Sequence, residues 1–254
     1  MVALMPSFVE DLVSVGAARQ IVGVSSATRD IPAVAHVPRV ADFASVDTER
    51  IVALHPDLVV AIPAQVRFLS QLGRAGIRVV TLPDDSYADI FDDLARLGTL
   101  SGHARAARSE VASLRARTAA LQRQERRFST PPAIFIVIGT QPIETVGSGS
   151  YIATLVTLAG GRDAAGALAA DYGEYSAEAL LRAQPDAIVT DPSTGLANAL
   201  GREPWRSLQA VRDHHVFTIA DASLLERPGP RYVEGLAWLI KRFAALTPRA
   251  ALGR

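Results

Sequence analysis

The sequence contains no cysteine, which excludes disulfides, thiol nucleophiles and thiolate metal sites. Lysine is almost missing as well: Lys241 is the only one, so the basic set is arginine. No excess of either charge exists, because 26 basic residues balance 26 acidic ones. A polyanion-seeking role therefore has no global field behind it, and neither nucleic acid nor an anionic membrane is an expected partner. No apolar run reaches the roughly twenty residues that span a bilayer, and no charged start with an apolar core marks a signal peptide. VALM (Val2 to Met5) instead reads as a core strand directly after Met1, and a removed targeting segment ahead of it is the expectation.

What is present is apolar mass. With 254 residues, 49% of them hydrophobic, the chain can bury one large core or two modest ones. Short apolar runs, VALM, IVGVS (Ile21 to Ser25), LVVAI (Leu58 to Ile62) and IRVVTL (Ile77 to Leu82), alternate with helical stretches near Ser7 to Gly16, Thr48 to Leu54, Gln65 to Ala75 and Ser86 to Leu97. Continuous apolar strands between amphipathic helices predict a parallel sheet covered on both faces. The second half repeats the plan with AIFIVI (Ala133 to Ile138), AIVTD (Ala187 to Asp191) and HVFTI (His215 to Ile219).

Between them, His103 to Phe128 holds neither Gly nor Pro, and Ala104, Ala107, Val111, Leu114, Leu121 and Phe128 recur at helical spacing. That is one rigid helix, roughly 40 Å long at 1.5 Å per residue, stopped by STPP (Ser129 to Pro132), since proline cannot continue the hydrogen-bond ladder. The expected fold is α/β: two Rossmann-like lobes, residues 1–102 and 129–254, each a parallel sheet flanked by helices, joined by a connecting helix over 103–128. An internal repeat supports two similar lobes. ERIVALHPDLVVA (Glu49 to Ala61) matches EALLRAQPDAIVT (Glu178 to Thr190) without a gap, and LVSVGAARQIVGV (Leu12 to Val24) matches LVTLAGGRDAAGA (Leu155 to Ala167) more loosely. In each, Pro-Asp stops a helix and turns the chain into a strand.

With this repeat, and with MPSFVEDLVSVGAARQIVGVSS, PRVADFASVDTERIVALHPDLVVA, GSGSYIATLVTLAGGRDAA and REPWRSLQAVRDHHVFTI, the whole chain resembles the class III periplasmic binding proteins of ABC importers, closest in pattern to cobalamin-binding members. The resemblance implies a non-enzymatic subunit that captures a metal chelate, a corrinoid, ferric siderophore or haem, in the cleft between lobes and delivers it to a permease and its ATPase. It implies one permease-docking glutamate per lobe, matched here by Glu49 and Glu178; the plain alternative is a first-turn acid behind Thr48 or Ser176 as N-cap. Four cleft positions that are aromatic in the cobalamin-binding pattern read Ala27, Phe43, Ile62 and Tyr172. Glu226 and Arg227, in LLERPGPRYV, are placed at the cleft rim. Arg227 is suited by its planar fork to a carboxylate, phosphate or catecholate, or to pairing with a neighbouring acid.

Tyr87, Tyr151, Tyr175 and Arg231 are further cleft candidates by their place on loops or helix starts. GSGS (Gly147 to Ser150) reads mainly as a turn. The five histidines, His36, His55, His103, His214 and His215, do not converge in the predicted layout, so no resident metal or cofactor is expected, and cobalt or iron would arrive inside the ligand. A monomer outside the cytoplasm, periplasmic or lipid-anchored, is expected. The alternatives are a two-lobed enzyme acting on a nucleotide or sugar, which would need a phosphate loop or a base and nucleophile pair that the sequence does not display, and a transporter-independent ligand sensor.

Overall fold

The computed structural model describes residues 1–42, 45–124, 128–166, 168 and 170–246. It divides into two units, Met1–Ala116 with Arg227–Arg231, and Arg117–Glu226 with Tyr232–Arg254.

In the first unit five strands, β1 (Val2–Ala3), β2 (Gly23–Ser25), β3 (Arg39–Ala41), β4 (Leu58–Ala61) and β5 (Arg78–Thr81), form one sheet in the order 3-2-1-4-5. Every pairing is parallel. β4 is buried at all four positions, as a strand covered on both faces must be, while edge strand β5 is half-exposed. Helices α1 (Pro6–Ser14), α2 (Thr48–Ala53), α3 (Val66–Arg74) and α4 (Asp89–Leu100) flank it. Ile51, Leu69, Leu72 and Ile77 pack with Val2, Leu4 and Val59 in one core cluster, and each such side chain is worth roughly 1.5–3 kcal/mol of burial. α1 packs on α4; it starts with Pro6 in its first turn, where the missing N–H costs nothing. α5 (Ala104–Gln124) follows. A Cβ at Gly98 would lie 2.2 Å from that of Ala107, so glycine is what lets α4 and α5 approach.

The second unit holds β6 (Ala133–Ile136), β9 (Arg162–Asp163), β11 (Ala187–Thr190) and β12 (Val216–Thr218) in a parallel sheet of order 12-11-6-9. In both units the first strand is central and the chain winds outward first to one side and then to the other. A small antiparallel sheet of β7 (Gly139–Thr140), β8 (Ile143–Val146) and β10 (Tyr172–Glu174) is added; strands of two to four residues carry too little hydrophobic period to be read from sequence. α6 (Tyr151–Leu158), α7 (Ala177–Ala183), α8 (Leu196–Ala199), α9 (Gln209–Arg212), α10 (Ser223–Glu226) and α11 (Tyr232–Phe243) complete it. Phe135, Leu180, Ile188, Trp205 and Leu208 share a core, and the hydroxyls of Thr118 and Tyr232 meet at 2.6 Å inside the unit.

The sequence repeat is a structural repeat. α2 leads through His55-Pro56-Asp57 into β4, and α7 through Gln184-Pro185-Asp186 into β11. His55 (φ 47°) and Gln184 (φ 39°) both adopt the left-handed conformation that ends helices. Asp186 then clamps the start of β6, its N–H donating to Ala133 O at 2.8 Å and its Oδ2 accepting from Ala133 N at 2.8 Å.

Candidate binding edge and family

In open parallel sheets ligands bind outside the carboxyl ends of the strands, next to the point where strand order reverses. In the first unit that point lies between β1 and β4, and an ion network joins α1, which follows β1, to the segment after β2. Arg227 donates through Nη1 to Asp30 Oδ2 (2.8 Å) and Glu10 Oε1 (3.1 Å), and through Nη2 to Asp30 Oδ1 (2.9 Å) and Ala27 O (3.0 Å). Arg231 lies 3.9 Å from the same Glu10 oxygen. The Glu10 side chain is only 6% exposed; burial raises its pKa and the Arg227 contact opposes the rise. A two-toothed guanidinium–carboxylate contact is the strong form of ion pair, and Asp30 supplies it.

α1, α4 and the loop after β5 bury further acids. Ser7 Oγ donates to Asp84 Oδ2 at 2.7 Å, while Asp84 Oδ1 is buried without a partner. Burial pushes the Asp84 carboxyl up to about 8 and that of Asp93 to about 7. Asp11, with both oxygens buried and unpartnered, is raised well above the carboxylate range, by burial first and then by Asp84, Asp93 and Glu10. The predicted helix start at Ser86 moves to Asp89, and Asp84 belongs to the loop after β5 rather than to a helix.

At the carboxyl edge of the second sheet lies an open hollow of about 260 Å³, lined by Ile138, Ile152, Val189, Ile219 and Leu225 together with Asp191 and Glu226. Most of that volume is open solvent: the enclosed space is about 20 Å³, far below the few hundred to one thousand Å³ of sites that enclose a whole ligand, and it has room for a single small group such as a methyl or an ammonium.

A protein-family model described as periplasmic binding protein matches residues 1–222. The chain belongs to this family. A Bacillus subtilis (strain 168) protein named as an uncharacterized ABC transporter substrate-binding lipoprotein, YvrC, is 29% identical over 243 residues, covering 92% of this chain and 76% of that one. The crystal structure of the periplasmic vitamin B12 binding protein BtuF of Vibrio cholerae superposes with a TM-score of 0.82 at 25% identity, covering 96% and 95% of the two chains. A periplasmic haem-binding protein, BhuT, shares the fold with a TM-score of 0.86 at 20% identity, covering 97% of this chain and 98% of that one. The class inferred from the sequence, a solute-binding protein with two parallel-sheet units, is thus the class that the comparisons return. This periplasmic binding protein is not an enzyme; such substrate-binding proteins work outside the cytoplasm with a membrane permease and its ATPase.

Among the expected ligand residues, Phe43 lies outside the described residues. Ile62 directly follows β4, with its N–H donating to Gln65 Oε1 at 3.1 Å. Tyr172, on β10, is 47% exposed. Ala27 presents its carbonyl to Arg227. The choice left open for Arg227, ligand anion or neighbouring acid, falls in the structure on Glu10 and Asp30.

Tyr151 is 1% exposed and sits inside the second unit, so it is a core residue and not a cleft wall. Tyr175 packs against Phe135, ring centroids 5.4 Å apart. Tyr87 meets Phe91 edge-on at 5.2 Å. Gly147 cannot present its N–H to an anion, because that N–H donates to Asp171 O at 2.8 Å.

Glu49 and Glu178 are both exposed first-turn acids of corresponding helices, α2 and α7. Ser176 caps α7 by accepting from Ala179 N, as expected. The cap of α2 is Asp47, not Thr48: its Oδ1 accepts from Arg50 N at 2.9 Å. Among the described residues no group of histidines and acids is placed to hold a metal ion.

Sequence reasoning missed Glu10, Asp30 and Asp191. Glu10 had a signal: two successive acids, Glu10 and Asp11, sit inside an otherwise apolar helix. Asp191, too, is the residue just past a buried parallel strand.

Proposed function

We propose that the cargo is a metal chelate carrying cobalt or iron, a corrinoid, haem or ferric siderophore. The observation that carries this reading is that the second unit has an apolar hollow at its sheet edge and the exposed ring of Tyr172 on β10, while the first unit has half-buried Ile62 directly after β4. Broad, partly apolar chelates need such walls with a few fixed polar groups. Likeness to a vitamin B12 binding protein and to a haem-binding protein supports the same class.

Phe43, Ile62 and Tyr172 would meet apolar faces of the chelate, and Glu226 and Arg227 would sit at its rim, Arg227 held in place by its acids. Glu49 and Glu178, one on each repeat, would dock the loaded protein on permease arginines. The protein would act as a monomer attached to, or free beside, the outer face of the membrane.

The test is titration with cobalamin, cobinamide, haemin and ferric siderophores, followed by calorimetry and by the fluorescence of Trp205 and Trp238. Saturable binding of one chelate is expected. Binding of molybdate with no response to any chelate refutes the cargo class.

A further inference from the structure

Charge, not shape alone, distinguishes the two units. Arg227 belongs to the first unit, and both its Nη atoms are committed to Glu10, Asp30 and the Ala27 carbonyl. With Arg231 beside Glu10, the network sets two guanidiniums against two carboxylates and is neutral as a set. Four of the five N–H donors of Arg227 are thus taken, so a two-toothed contact with an incoming carboxylate or phosphate would have to displace an acid already bound, and a displaced Glu10 would be left charged and buried, which is strongly unfavourable.

The hollow of the second unit carries the complementary statement. Its wall is aliphatic, its charged members are Asp191 and Glu226, and no basic side chain lines it among the described residues. Asp191 is 7% exposed and is fixed by Ser193, whose N–H donates to its Oδ1 at 2.7 Å. A fixed carboxylate in an aliphatic wall repels anions and receives N–H groups or positive charge. We propose that this protein selects a neutral or cationic chelate, one presenting amide, amine or ammonium groups, and discriminates against carboxylate- and phosphate-bearing chelates. The inference rests on the chelate reading above and deepens it.

Charge-matched pairs isolate the effect from the scaffold: ferrioxamine B with its free ammonium against its N-succinyl derivative, and cobinamide against its phosphate ester, measured by calorimetry at constant ionic strength. Within whichever scaffold binds, the uncharged or cationic member should bind about tenfold or more tightly. Asp191→Asn keeps the acceptor for Ser193 and should narrow that gap, and Glu226→Gln provides a second, exposed position for the same readout.

Equal or tighter binding of the anionic members overturns the inference and leaves the chelate reading standing. A preference that survives unchanged in both variants overturns its assignment to these carboxylates. No binding by any of the four compounds, with the protein folded, overturns this inference, and the chelate reading then stands or falls on the wider panel of cobalamin, haemin and other ferric siderophores.

Discussion

Replacing Asp84 by Asn should make the protein more stable at neutral and alkaline pH while changing little in acid. The folded carboxyl titrates at about 8 against an ordinary 3.8, chiefly because it is buried. A raised folded pKa means that the stabilisation is complete below about pH 4 and is withdrawn as pH rises toward 8, at up to about 1.4 kcal/mol per pH unit. Relaxation and water entry reduce the full sum, so about 2–4 kcal/mol between pH 5 and pH 8 is the expected size. Asn keeps an oxygen to accept from Ser7 Oγ, now 2.7 Å from Asp84 Oδ2, and carries no charge. Urea unfolding followed by far-ultraviolet circular dichroism at pH 5, 6, 7 and 8 measures this. The variant should match the parent within about 1 kcal/mol at pH 5 and exceed it by about 2–4 kcal/mol at pH 8. Burial also raises Asp93, to about 7, and Asp11, so some pH dependence should persist. An identical pH slope in parent and variant refutes the reasoning.

The double change Glu49→Ala, Glu178→Ala should leave chelate affinity unchanged and abolish uptake in a reconstituted importer; uptake that survives removes the docking assignment. Tyr172→Ala, on a half-exposed edge position, should shift the melting temperature little but weaken ligand binding about tenfold through lost ring contact, as read by calorimetry. His55→Gly should stabilise by up to about 1 kcal/mol, because only glycine holds the left-handed φ of 47° without strain. Gln184→Gly should instead destabilise in the same thermal melt, since the Gln184 side chain accepts from Gln209 N and donates to Leu181 O.

The sequence by itself determined what depends on local pattern. Apolar runs of three to six residues gave the central strands β4, β6 and β11, because strands buried on both faces are largely apolar. The Pro-Asp repeat exposed the duplicated topology, since each copy must stop a helix and enter a strand at the same place. The whole-chain pattern pointed to the binding-protein family before any coordinates.

Short edge pieces escaped. β3, β7, β9 and β10 are held by their neighbours' ladders rather than by their own composition. Tertiary structure alone decided the fate of polar groups. Glu10 and Arg227 are 217 residues apart, and nothing in either segment says that they meet. Whether an arginine is free to take a ligand, or an aspartate is driven to hold a proton at neutral pH, depends on partners and desolvation that only the folded chain assembles.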